Sequence, residues 1–218
     1  MANSIDLAKF GANDIIACNN ANYAGAIKIV AGKIAAGNVT FIIDGKTINL
    51  SDAGCSYLST SLEAINKAKA EANPAGVLLA LGAKSTTLIS PTESSNSAIS
   101  GPANETTFAQ GSKELELSGL KDSTMVRFNH LGKTGEVNVL DAKAGAVTIQ
   151  VDGDVIELAD QAASYISNDY KEIKMADAEA DPTKVLFALK GGTTKLVSAS
   201  LVSNQKIAKG AIDTVFVK

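Results

Sequence analysis

The chain has 218 residues, of which 45% are hydrophobic and 20% charged, with a formal net charge of −3. That is enough chain to bury a real core, and it is too apolar for a disordered polymer. It lacks the basic excess that an electrostatic hold on nucleic acid or an acidic membrane needs.

In chain order, residues 1–12 (MANSIDLAKFGA) read as an N-terminal arm. They carry neither the basic n-region nor the apolar h-region of a signal peptide, and no apolar run reaches the length of a membrane span. DIIAC and AIKIV follow as two strands. Val39, Phe41 and Ile43 then alternate with polar positions, Asp44-Gly45 intervenes, and Ile48 and Leu50 resume the alternation. This predicts a hairpin on a type I′ turn, because Asp and Gly both accept positive φ. Leu62, Ile65, Ala68 and Ala72 recur at helical spacing, with Thr60 and Glu63 placed as a capping box and Pro74 as the stop. VLLAL and TLIS form a second hairpin.

Residues 37–90 align with 145–198 without a gap, and 24 of the 54 positions are identical. Such self-similarity marks a tandem duplication. After a two-residue slip, assigned to the loops KIAAG and AKAG, the match runs back to Asn19, Gly25, Ile27 and Ile29 opposite Asn129, Gly135, Val137 and Val139. The second copy carries its own Asp152-Gly153 turn, an Asp169/Glu172 capping pair and Pro182. Turn formers and apolar positions are kept, whereas Asn49, Glu63 and Lys69 became Glu157, Lys171 and Asp177. The copies share a scaffold and no charged site.

The expected fold is α+β and mainly β, a duplicated strand-rich unit with about six strands and one helix per copy. Its parts are an N-terminal arm (1–12), repeat unit 1 (13–90), a Ser/Asn/Pro-rich linker or arm (91–114), repeat unit 2 (115–200) and a C-terminal strand or extension (201–218).

The search for chemistry finds little. His130 is the single histidine; beside a loop, it reads as a solvated surface residue. Gly191-Gly192 lies between two strands and not before a helix, so it reads as a hairpin turn and not a phosphate loop. Asp152, Asp154, Glu157 and Asp160 are close enough to suggest calcium, but Lys46 and Asn49 stand opposite Asp154 and Glu157, and a solvated turn is the default. Cys18 and Cys55 fall opposite Phe128 and Ala163, which favours two small buried hydrophobes over a bridge. No catalytic, cofactor-binding or metal-binding residue is assigned.

The segment MVRFNHLGKTGEVNVLDAKAGAVTIQVDGDVIEL, with Gly-Lys-Thr-Gly ahead of Val137, resembles the front half of a KOW-type SH3-like barrel. That resemblance implies a barrel element of a kind that binds RNA or ribosomal partners, and the SH3-like alternative for the chain is a binding module for peptide, glycan or RNA. Arg127, Lys133 and Lys143 are scattered among acids and do not form the basic, aromatic surface of an RNA binder. In its Ala/Gly/Ser/Thr-rich, Trp-free, slightly acidic composition the whole chain resembles virion structural proteins of tailed bacteriophages, of the capsid-decoration or tail and neck type. The resemblance implies a non-enzymatic component of a symmetric assembly, made in the host cytoplasm and located in the virion. Its partners would be copies of itself, a trimer giving pseudo-six-fold symmetry, and other virion proteins, with no specific nucleic acid, membrane or cofactor. The alternative is an SH3-like binding module, for which Tyr57 and Tyr165 are the candidate aromatics. An enzyme ranks third and would need acidic residues converging on His130 in a cleft.

Overall fold

A computed structural model describes residues 1–120, 124–160 and 164–217. The chain divides into two compact units, Met1–Gln110 and Gly111–Lys218. The protein is mainly β, and the described residues form four antiparallel five-stranded sheets.

Unit 1 runs β1 (Ser4–Asp6), β2 (Ile15–Asn20), β3 (Tyr23–Ala35), β4 (Asn38–Ile43), β5 (Lys46–Ser51), β6 (Tyr57–Ser59), β7 (Ala64–Ile65), α1 (Lys67–Ala72), β8 (Val77–Leu81), β9 (Thr87–Ile89), α2 (Ser97–Ser100) and β10 (Thr106–Gln110). One sheet has the order β10-β2-β3-β4-β5 and the other β1-β9-β8-β6-β7. Their inner faces share one core, in which Ile16, Ile27, Phe41 and Leu50 of the first meet Leu58, Leu79 and Leu88 of the second. The outer face of the second sheet is covered as well, by a smaller cluster of Ile65, Ala70, Val77 and Ile99. Burial on both faces explains why VLLAL shows no alternation: all five residues are buried.

Unit 2 runs β11 (Glu114–Glu116), β12 (Met125–His130), β13 (Lys133–Lys143), β14 (Ala146–Val151), β15 (Asp154–Ala159), β16 (Tyr165–Ser167), β17 (Glu172–Ile173), α3 (Met175–Ala180), β18 (Val185–Leu189), β19 (Lys195–Ser198), α4 (Gln205–Gly210) and β20 (Thr214–Val217). Its sheets have the orders β15-β14-β13-β12-β20 and β11-β19-β18-β16-β17, which match those of unit 1 strand for strand. The 125–158 segment forms the meander β12–β15 within one five-stranded sheet. The predicted Asp-Gly turns are present: Asp44 and Gly45 have φ of 44° and 80°, and Asp152 and Gly153 have 47° and 103°.

Several expectations change. Among the described residues each unit has ten strands and two short α-helices, not six and one. Residues 91–110 are not a linker. Ser90 and Asn96 use their side chains to cap the turn at Pro91–Glu93 and helix α2, Ile99 is fully buried, and Thr106–Gln110 pairs with β2. The polar composition that suggested a loop is the set of caps that short elements require. The same segment of unit 2 contains α4 and β20, so the terminal strand closes its own unit by pairing with β12. The first residues are not a free arm either, since Ser4–Asp6 pairs with β9.

The predicted helix start at Thr60 is also wrong. Ser59 to Glu63 is the turn between β6 and β7, with Leu62 at φ 60°, and α1 begins after Asn66, whose side chain accepts from the Lys69 N–H at 3.0 Å. Leu62 packs on the main core and Ile65 on the smaller one, so their spacing reports two cores and not one helix face. In unit 2 the Asp169/Glu172 pair precedes α3, and Glu172 lies in β17. The two-residue slip sits in the bulge of β3 between Ile29 and Ile34, against the smaller bulge of β13 between Val139 and Asp141, and not in the loops that follow.

Candidate functional site

A polar cluster lies where the closing strand of unit 2 meets the rest of that unit. His130 ends β12 and stands opposite Thr214, the first residue of β20. The Thr214 hydroxyl donates to the Leu186 carbonyl, so its oxygen is left to accept. The His130 Nδ1–H therefore donates to Thr214 Oγ1 at 2.8 Å, and Nε2 keeps a lone pair. That Nε2 is buried with no hydrogen-bond partner among the described residues. The ring is 1% exposed, so the solvated surface histidine expected from its place beside a loop is a core residue. Burial, reinforced by Lys133 and opposed by Asp213, pushes its pKa down to about 4.

The network continues outward. Ser198 Oγ accepts from the Thr214 N–H at 3.0 Å and lies 3.1 Å from Ser200 Oγ. Ser200 donates to Asp213 at 2.5 Å, and Lys113 Nζ reaches the same carboxylate at 2.7 Å. Serine, histidine, aspartate and lysine are thus gathered, but not as a nucleophile with its base. His130 is bonded to Thr214, and the Ser200 hydroxyl is committed to a carboxylate.

Unit 1 builds the same arrangement with the threonine and the inner serine kept and the residues around them changed. Asn20 stands in the place of His130 and donates to Thr106 Oγ1 at 3.0 Å, while Thr106 donates to the Leu78 carbonyl. Ser90 accepts from the Thr106 N–H at 2.9 Å and lies 2.7 Å from Thr92, and Asn3 donates to Glu105 at 2.7 Å. What persists is the duty, which is to satisfy a buried carbonyl and fix the closing strand. The signal was legible in part: Ser90 and Ser198, Thr106 and Thr214, and Phe108 and Phe216 are all 108 residues apart, so the gapless match continues past residue 90.

The carboxylates of 152–160 disperse. Asp152 accepts from the Glu136 N–H at 2.8 Å, Asp160 from the Gly192 N–H at 2.7 Å, and the Glu157 N–H donates to Glu172. Among the described residues no group of three or more His, Cys, Asp or Glu is placed to hold a metal. Gly191-Gly192 lies in the turn between β18 and β19, and Gly192 has φ 68°. Lys84 occupies that position in unit 1 at φ 53°. The turn aspartates each hold a tyrosine from a different element. Asp44 takes the Tyr23 phenol, and burial, with Asp152 beside it, pushes the Tyr170 phenol up to about 12. Both cysteines are free; Cys18 is buried, Cys55 is only half-buried, and Ala163 lies outside the described residues.

One open groove of about 890 Å³ lies in unit 2, beside Tyr165, with Lys174, Met175, Lys190, Leu201 and Val202 among its walls. Tyr165 packs on the small cluster of Ala178, Val185 and Ile207, and Tyr57 packs likewise in unit 1. Neither a protein-family model nor a curated protein nor a solved structure matches the chain. The large exposed hydrophobic side chains are distributed unevenly: Met125, Leu131, Leu140, Val155, Met175 and Leu201 belong to unit 2 and only Met1 to unit 1.

Proposed function

We propose that this protein is a non-enzymatic structural component of a symmetric assembly, best read as a virion protein of a tailed bacteriophage acting through subunit contacts. The observation that carries the reading is that six of the seven large exposed hydrophobic side chains among the described residues belong to unit 2. Where unit 2 exposes Leu131, Val155, Met175 and Leu201, unit 1 has Ala21, Thr47, Lys67 and Glu93. Two units of one topology that differ in surface chemistry suit a chain in which one unit supplies the contacts. The polar clusters of both units serve the same structural duty around a kept threonine and serine, Thr106 with Ser90 and Thr214 with Ser198, which leaves little for a catalytic role. The finer reading of the fold, tandem copies of one ancestral module, rests on the shared strand order and the 24 identities.

Native mass spectrometry tests this. A closed oligomer, with a trimer expected, that dissociates in a Met175→Lys/Leu201→Glu variant carrying the residues of unit 1 supports it. A monomer at every accessible concentration overturns it.

The second reading, an SH3-like binding module, draws on the groove beside Tyr165. It is favoured by a protein that stays monomeric and captures a peptide or glycan through unit 2, with capture lost in Tyr165→Ala.

A further inference from the structure

The two closing strands differ at one decisive position. In unit 1 the donor to the threonine is a half-buried amide, Asn20, which has no proton to gain in the working pH range. In unit 2 it is the imidazole of His130, whose second nitrogen is buried without a partner. A proton arriving at Nε2 creates a charged donor inside the unit with nothing to receive it, and a buried unsatisfied charge is among the costliest features a fold can carry. The charged groups facing the ring do not remove that cost. Lys133 on β13 repels the proton. Asp213, just ahead of β20, attracts it, but its carboxylate already serves Lys113 and Ser200. Arg127 on the same strand is exposed and paired with Glu136.

One relief is to open the element whose removal brings water to the ring. β20 lies at the edge of its sheet, paired on one side with β12 and bridged on the other at Ser112 to Phe216.

We propose that unit 2 carries an acid-triggered release built into its fold: protonation of His130 frees Thr214–Val217 from β12, while β10 of unit 1, held by Asn20, stays closed. The proposal is independent of the assembly role. Its test is amide hydrogen exchange on the full chain, expressed as protection factors so that the intrinsic pH dependence of exchange is divided out. Between pH 7 and pH 5, protection at Val215–Val217 is expected to fall on the order of 20-fold relative to Thr107–Ala109, the size set by a histidine whose pKa is about 4 when closed and ordinary when open. In His130→Asn, which installs the residue of unit 1 in the matching place, the two strands are expected to respond alike. Equal responses of β10 and β20 in the unmodified protein overturn the proposal. So does a selective loss at β20 that persists in His130→Asn, which would assign the effect to the Lys113–Asp213 pair.

Discussion

Unit 1 and unit 2 fold the same way with different interiors. In unit 2, Phe187 contacts Phe128 and Phe216 edge to face, with ring centroids 5.7 Å and 5.5 Å away. In unit 1 the matching positions are Leu79, Cys18 and Phe108, so one aromatic serves where unit 2 uses three. The closing strands differ in the same spirit, with an amide at one threonine and an imidazole at the other. The comparison teaches that topology here is set by turns and by the alternation of apolar residues. The volume and polarity that fill the frame are exchangeable while the carbonyls of Leu78 and Leu186 keep their threonine donors.

The largest expected effect probes the aromatic contrast. Phe187→Ala should destabilise unit 2 by roughly 3–5 kcal/mol, through a cavity bordered by two further rings. Leu79→Ala in unit 1 should cost about 2–5 kcal/mol, and local unfolding energies from hydrogen exchange measure both. A Phe187 variant with unchanged protection in unit 2 would break the claim that the rings form its core.

Next come the threonines. Thr106→Val and Thr214→Val each strand a buried carbonyl, of Leu78 and Leu186 respectively, and each should cost on the order of 1–3 kcal/mol in its own unit. Closely similar losses would sharpen the equivalence of the two clasps. A loss confined to one unit would end it.

The histidine supplies the pH term. Below pH 6.5 the opened chain binds a proton that the closed unit refuses until about pH 4. Its contribution to unit 2 is therefore whole above pH 6.5 and drains away between those limits as pH falls. About 2 kcal/mol should be gone at pH 5. Asn20→His should transfer part of this acid sensitivity to unit 1, as read by urea unfolding at pH 7.5 and pH 5.

The smallest effect concerns the hairpins. Gly45→Ala and Gly153→Ala put a Cβ on residues held at positive φ, and each should cost about 1 kcal/mol as a lowered thermal midpoint. A much larger loss in one unit would show that its turn also carries packing that the other lacks.

Much of the scaffold was legible in the residues. The 3.6-residue reading over Leu62–Ala72 failed because a turn, a two-residue strand and a short helix in succession mimic the spacing of one longer helix. The linker reading failed because Ser90, Ser94 and Asn96 are polar as caps, and composition does not separate a capped turn from a solvated loop. The groove beside Tyr165 was legible only as a kept tyrosine, because its other walls come from segments distant in sequence.

By itself the sequence determined the twofold internal likeness, the hairpins on Asp44-Gly45 and Asp152-Gly153, and the alternating core positions from Val39 to Leu50. These depend on neighbours within a few residues, where periodicity and turn chemistry act. Only the tertiary structure decided where the last strand of each unit goes and, with it, that His130 is buried. That placement rests on a pairing between residues 84 apart, His130 with Thr214, and local pattern is blind to a partner at that distance.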